Sequence, residues 1–408
     1  MGSIWSCSWF ATTRVNTQIS HNMEVQIMTQ TINGRVIEVS SVHVTTSYAQ
    51  VVSYIGMRGV QMGVAGDKEG IKCYRSLADL EDDYDIDTPV WNQGNAYFGG
   101  ASDGAFFVRT YDPKYTATQK PALDGVTTTD NSASVALSGT PTSESGFIHA
   151  LAKYYYAGAE YHLFPIASEE DKDMALTVSN FVEAQDRGIL LISMTTEAGR
   201  MAVDSDFDFL EQIKANRATK IVSLPTSDDP NNIMGADALG HFVGDAVGAN
   251  FKFTTGLSVS PQDRFELTND DLAVYEKRNI GTYATENGKN MITNGRMMSG
   301  LALSTMVIKD SITNDIIQTV SDYLQKNRRV PYASSGVKAV RGLLMGVLGS
   351  YVSSGLIKDY SLNDPDADSI SEEKKATGIL DIFAWSWESV PTIDDAEFAQ
   401  TLVVYDGQ

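Results

Sequence analysis

The chain holds only two cysteines in 408 residues, Cys7 and Cys73. Two cysteines build no disulfide framework and offer no metal-ligand spacing. They fit a reducing compartment such as a bacterial cytoplasm. Histidine is nearly as scarce: His21, His43, His149, His162 and His241 are scattered, without the spacing of a zinc site. Positive charge is in deficit, with 31 Lys and Arg against 52 Asp and Glu and a formal net charge of −21. That balance argues against general nucleic-acid binding, which needs a basic surface. No apolar run approaches the ~18 residues that span a membrane. The opening stretch "MGSIWSCSWFATTRVNTQ" lacks the unbroken apolar region of a secretory signal, so none is expected. Its match to the myristoylation pattern, through Gly2 and Ser6, is taken as chance.

Catalytic motifs are missing as well. The segment "GMRGVQMGVAGDKEG" is rich in glycine but fits neither dinucleotide nor P-loop spacing, and "ENGKN" lacks the upstream glycine and the hydroxyl residue of a P-loop. No G-x-S-x-G nucleophile elbow occurs. No catalytic residue, metal ligand or cofactor is therefore nominated. His162, in an apolar strand, and His241, in an apolar helix, read as core residues.

What is present is ordinary globular material: 42% hydrophobic and 9% aromatic residues. Residues 30–55 are rich in Val, Ile, Thr and Tyr and read as short strands with a turn at Asn33-Gly34. "SLADLEDDYDID" reads as a helix capped by Ser76, "WNQGNAYFGGA" as a weaker helix, and "AFFVRTYD" as a buried strand ending before Pro113. From Pro113 to Gly146 the chain turns to Thr, Ser, Pro and Gly, the composition of an exposed insertion or of a flexible linker. Strands and helices then alternate. "YHLFPIA", "ILLISMTT" and "TKIVSLPT" read as strands; "GFIHALAKYYYAG", "SEEDKDMALTVSNFVEAQDRG", "DFDFLEQIKAN" and "NNIMGADALGHFVGDAVG" read as helices. In the second helix Ser168 is placed as the cap and Gly188 as the stop, and Met174, Val178, Phe181 and Val182 form one stripe. This rhythm predicts a largely parallel sheet covered by helices.

After Pro261 the pattern changes. "LTNDDLAVYEKRNIGTYATENG" reads as a helix then a strand. A long amphipathic helix follows, with Ile308, Ile312, Ile316, Val320, Tyr323 and Leu324 on one face. The next helix carries Val337, Val340, Leu344, Val347, Leu348, Tyr351 and Val352 and stops near Gly355. Pro331 disfavours helical geometry at Val330, so an extended elbow is expected between them. That elbow, within "KNRRVPYASSGVKAVRGLL", holds the densest positive charge of an acidic chain.

"LNDPDADSISEEKKATG" reads as an acidic loop, and "ILDIFAWSWESV" and "AEFAQTLVVYDGQ" as strands. Asp364, Asp366 and Asp368 begin like a calcium loop, but Ser369 stands where glycine is needed and Lys375 where a bidentate glutamate is needed. Phe383, Trp385 and Trp387 share one strand face, which suits a core face or a sugar-stacking platform. Thr401, Leu402, Val403, Val404 and Tyr405 form a strand apolar on both faces. Unpaired, such a strand is an aggregation hazard. It pairs inside its own subunit or is donated to another chain.

Taken together, "YRSLADLEDDYDIDTPVWNQGNAYFGGASDGAFFVRTYDP", "VEAQDRGILLISMTT" and the helix–"RRVPYASSGVKAV"–helix unit resemble contractile tail sheath proteins of bacteriophages. In one sheath-like group a Lys-Val-Pro-Tyr-Thr-x-x-Gly-like elbow joins two helices. Arg329, Val330, Pro331, Tyr332 and Gly336 are similar to it, with Ala333 in place of threonine. Tyr74, Ser76, Leu77, Ala78 and Asp79 resemble the group's Tyr-x-Ser-Leu-Ala-Asp opening. The likeness runs discontinuously from about residue 50 onward and leaves out the first ~45 residues and the insertion, where exposed loops vary.

The resemblance implies a mixed α/β sheath fold: an N-terminal extension over 1–47, an α/β domain over 48–260 with the insertion 113–146, and an assembly domain over 261–408 ending in a C-terminal arm. It implies stacked hexameric rings around a tail tube, arms that complete small sheets in neighbouring subunits, and contraction that drives the tube through the host envelope. The implied partners are further copies of the chain, the tube protein, and baseplate and terminator proteins, with no nucleic acid, membrane, cofactor or active site. The implied location is a virion tail assembled in the bacterial cytoplasm. Lys326, Arg328, Arg329, Lys338 and Arg341 become tube-facing candidates, and Thr401–Tyr405 the subunit-linking arm. Two other readings remain open: an α/β enzyme using the crevice at its strand ends, and a glycan-binding module using Trp385 and Trp387.

Overall fold

The computed structural model of the chain describes residues 26–32, 35–41, 59–101, 103–115, 143–166, 171–185, 187–195, 208–224, 229–262, 268–286, 288–376, 378, 380 and 383–391. Strands β1 (Gln26–Ile32) and β2 (Arg35–Ser41) pair antiparallel, with Ile32 opposite Arg35; the turn expected at Asn33-Gly34 lies outside the described residues. Strands β3 (Gly59–Ala65), β4 (Gly70–Tyr74), β5 (Ala105–Tyr111), β6 (Tyr161–Ile166), β7 (Ile189–Thr195), β8 (Thr219–Leu224) and β9 (Ile280–Gly281) form one seven-stranded sheet. Its order is β4-β5-β3-β6-β7-β8-β9. Only β4 runs antiparallel to its neighbour.

A parallel sheet must be covered on both faces, and its inner strands are correspondingly apolar throughout. Ile189, Leu190, Leu191, Ile192 and Met194 of β7 are all fully buried. Alternate residues serve different layers. Ile189 and Leu191 face α1 (Leu77–Glu81), α2 (Pro89–Gly100) and a later helix over 234–242. Leu190, Ile192 and Met194 face α3 (Ser143–Tyr154), α4 (Lys172–Gln185), α5 (Asp208–Ile213) and a helix over 269–277. Those two later helices are α6 (Met234–Phe242) and α7 (Asn269–Lys277). Val178 and Val182 of the expected α4 stripe are buried, and Met174 and Phe181 pack partly buried beside them. The proposed Ser168 cap lies outside the described residues, and Gly188 follows the helix in a left-handed conformation, φ 85°. Helices α2 and α6 cross at glycines, for a β-carbon on Gly240 would sit 2.2 Å from the carbonyl oxygen of Tyr97.

Several boundaries differ from expectation, each for a local reason. Helix α1 keeps its Ser76 cap, whose Oγ accepts from Asp79 N–H at 3.2 Å, but ends at Glu81 rather than running to Asp87. Continuing it would stack Asp79, Asp83 and Asp87 at four-residue spacing, a repulsive arrangement. Asp83 instead turns back to Lys72 and to the Tyr74 hydroxyl at 2.7 Å. Helix α6 occupies the middle of its expected span. Both Asp229 carboxylate oxygens accept from its first turn, at Ile233 and Met234, 3.1 Å each. The main sheet draws on residues past the division at 260/261, since Ile280 and Gly281 pair with Ile221 and Val222.

Tyr115, within the start of the expected insertion, stacks on His149 of α3 at 4.1 Å, and α3 opens at Ser143, ahead of the insertion's expected end at Gly146. Beyond α7, β10 (Tyr283–Glu286) and β11 (Lys289–Ile292) make a hairpin. The two long helices follow as expected, α8 (Leu303–Lys326) and α9 (Ser334–Ser353). Ile308, Ile312, Ile316 and Val320 of α8 pack against Val340, Leu344, Leu348 and Tyr351 of α9 in a second core. Gly355, at φ 73°, ends the pair. The region read as an acidic loop holds a 3-10 turn at Ala367–Ser369 and a short α10 (Glu372–Ala376). Ahead of it lies an unexpected strand, β12 (Ile357–Leu362), antiparallel to β13 (Trp385–Ser389).

Candidate assembly surface

The elbow between α8 and α9 is built by proline and glycine together. Pro331 blocks helix continuation, and its carbonyl then folds over the first turn of α9. A β-carbon on Gly336 would lie 2.0 Å from that carbonyl oxygen. Only glycine admits such an approach, which gives the Pro331-to-Gly336 spacing its physical meaning. Asn327 closes α8: its backbone N–H and its Nδ2 both donate to Tyr323 O at 2.9 Å. Val337 N–H donates to Ala333 O at 3.0 Å and opens α9.

This rigid turn presents Lys326, Arg328 and Arg329, with Lys338 one turn into α9. All four side chains are exposed, and none has an ion-pair partner among the described residues. Arg341 differs. Its Nε donates to Asn363 O at 3.1 Å and stands 3.3 Å from the Asp364 carboxylate. Four of the five cations thus stand exposed in and beside the elbow, and the fifth ties α9 to the loop after β12. Cations near the end of α8 also complement its negative terminus.

The β12–β13 ribbon is the other element of this region. Leu362 pairs with Trp385 and Tyr360 with Trp387. The ribbon is two-stranded, so each strand has one edge unpaired by any described strand. Phe383, Trp385 and Trp387 pack partly buried against the core of α8 and α9. They form the face that the ribbon turns toward that core. The strand read at Thr401–Tyr405 lies outside the described residues.

The remaining candidates resolve as structure. Asp366 accepts from Asp368 N–H at 3.0 Å and caps the 3-10 turn, while Asp364 serves Arg341. No cluster of potential metal ligands occurs among the described residues. His241 Nε2 lies 3.5 Å from Asp237. His162 is buried, and burial together with nearby Arg109 pushes its imidazole down to about 3. Lys220, fully buried, donates to Asn279 O, Asn294 Oδ1 and Arg296 O at 2.9, 3.1 and 2.9 Å, and burial holds its ammonium well below the usual range. It pins β8 to the chain after β9. The strand order reverses direction at β3, where α/β enzymes place substrate. On the sheet face beside that point Phe147 of α3 lies over Gly63, where an added β-carbon would meet its ring at 2.4 Å, and the Arg109 guanidinium sits 4.6 Å from the ring centre.

No protein-family model and no curated protein matches the sequence. Solved structures do match its fold. A chain in the cryo-EM structure of the six-fold symmetrised anti-feeding prophage baseplate superposes with a TM-score of 0.58 at 13% identity, covering 89% of this chain and 98% of that one. A chain of the same baseplate in its contracted state gives 0.57 at 10% identity, covering 89% and 97%. A chain of the PVC sheath complex of an extracellular contractile injection system, in its contracted state, gives 0.56 at 14% identity, covering 88% and 96%. Nearly the whole of each of those chains has its counterpart here, so this chain has the mixed α/β fold of chains that build contractile injection assemblies, in agreement with the resemblance drawn from its motifs.

Proposed function

We propose that the chain is a structural subunit of a contractile sheath, without enzymatic activity. The observation that carries this reading is the shared fold with a chain of a contracted sheath complex, over 88% of this chain and 96% of that one. In this reading the subunits stack as six-membered rings around a tail tube. Contraction, started at the baseplate, drives the tube through the host envelope. The partners are other copies, the tube protein, and baseplate and terminator proteins. The assembly forms in the bacterial cytoplasm and becomes a virion tail.

Two surfaces do the work. Lys326, Arg328, Arg329 and Lys338 grip an acidic tube surface, which explains why an acidic chain concentrates exposed cations, unpaired among the described residues, at one elbow. Each exposed contact is worth ~0.2–1 kcal/mol. Four give on the order of 1–4 kcal/mol per subunit, weak enough to release and firm when repeated along a cylinder. Thr401–Tyr405 of one copy adds to an open edge of the β12–β13 ribbon in the next, by backbone hydrogen bonding. In this reading the surfaces that link and grip lie within 261–408, while Ile280 and Gly281 of that range complete the main sheet. Electron microscopy of the purified chain, looking for hollow cylinders, tests the reading.

A further inference from the structure

Between the sheet and α8 lies a closed polar joint that takes no part in the surfaces above. Glu160 stands just ahead of β6 and Arg187 just ahead of β7; Asp310 and Asn314 lie one turn apart on α8. Glu160, Asp310 and Asn314 are all buried. Arg187 Nη2 donates to Glu160 Oε1 at 2.9 Å, and Asn314 Nδ2 donates to the same oxygen at 2.7 Å. Asp310 Oδ2 accepts from Gly188 N–H at 2.8 Å. Asp310 Oδ1 has no hydrogen-bond partner among the described residues. The joint therefore encloses two carboxyl groups but only one guanidinium, and Glu160 is the carboxylate that holds it. An ionised Asp310 is left with one backbone N–H in a site closed to water, which disfavours the charged form.

We propose that Asp310 is a proton-operated clamp between α8 and the sheet, closed when its carboxyl is neutral and loosened when it ionises. The groups that act on it come from each packed element: Lys309 from α8, Tyr155 from just past α3, Glu160 from the approach to β6, and Arg187 with the Gly188 N–H from the approach to β7, while Asn314 of α8 holds Glu160. Burial raises the Asp310 carboxyl, Lys309 lowers it, Glu160 raises it, and Arg187 and the Gly188 N–H lower it. The balance lies at about 7, against 3.8 for the free side chain. A raised folded-state value means that the folded joint holds the proton more tightly than the open one. Its stabilising effect is full at acid pH and is lost as pH rises through 7.

Peptide-resolved hydrogen exchange on the full chain, corrected for the intrinsic pH dependence of exchange, reads this directly at α8. Protection should fall roughly tenfold between pH 6 and pH 8. Asp310→Asn, which keeps an acceptor for Gly188 but cannot ionise, should show no such fall. Glu160→Gln, which removes the repelling charge, should move the fall to lower pH, and it carries the test by itself if Asp310→Asn does not fold. Protection that is flat in the native chain, an undiminished fall in Asp310→Asn, or a fall unmoved in Glu160→Gln would each overturn the clamp.

Discussion

The carbonyl oxygen of Pro331 lies 2.0 Å from the point where a β-carbon on Gly336 would stand. A side chain at 336 would force this carbonyl or the first turn of α9 to move. Gly336→Ala should therefore destabilise the chain by ~1–3 kcal/mol through forced repacking, read by urea denaturation. Gly349, on the same helix, has open space around its missing side chain. Gly349→Ala should stabilise by ~0.5–1 kcal/mol from helix propensity alone. Equal effects at the two positions would deny the elbow contact any special role.

Lys326, Arg328, Arg329 and Lys338 are exposed, so reversing all four to Glu should leave the fold nearly unchanged, within about 0.5 kcal/mol per site. Co-sedimentation with the tube protein should be lost, and the native interaction should weaken as salt rises. Arg341→Ala should behave differently, loosening the link to Asn363 and Asp364 while sparing most tube binding. Full tube binding by the four-fold variant would remove the elbow from the tube interface.

His162 stacks on Tyr155 with ring centres 4.5 Å apart, and neither ring nitrogen has a hydrogen-bond partner among the described residues. Its folded value of about 3 lies below the ordinary 6.5, so the unfolded chain binds the proton first. The stability that His162 contributes is present above pH 6.5 and is lost as pH falls towards 3. His162→Phe keeps the ring and removes the titration. Its melting temperature should fall less than that of the native chain between pH 6.5 and pH 4. An unchanged acid profile would place the titration elsewhere.

Much of the architecture was legible because it is local. The apolar runs of β7 and β8 and the stripes on α4, α8 and α9 each fall within one element. Strand β9 was not legible, being two residues long and made a strand only by pairing with Ile221 and Val222. Strand β12 was missed for a similar reason: Lys358, Asp359 and Ser361 are exposed, and β13 alone gives the segment its conformation. The elbow cations could be found as a charge run, but the engagement of Arg341 by Asp364 depends on a turn that closes only in three dimensions. The joint around Asp310 links positions 122 and 154 residues apart. Its one signal in the sequence was the four-residue spacing of Asp310 and Asn314 beside the Ile308, Ile312 and Ile316 stripe, which marks a second, polar buried face.

The central claim is that one copy of this chain is a component of a larger cylinder, linked to its neighbours by exchanged strands. Negative-stain electron microscopy of the purified chain, beside a variant lacking residues 400–408, tests it most directly. The account predicts hollow, striated tubes of uniform bore from the full chain, and folded single particles from the shortened one. Single particles from the full chain at high concentration, or normal tubes from the shortened variant, would contradict it.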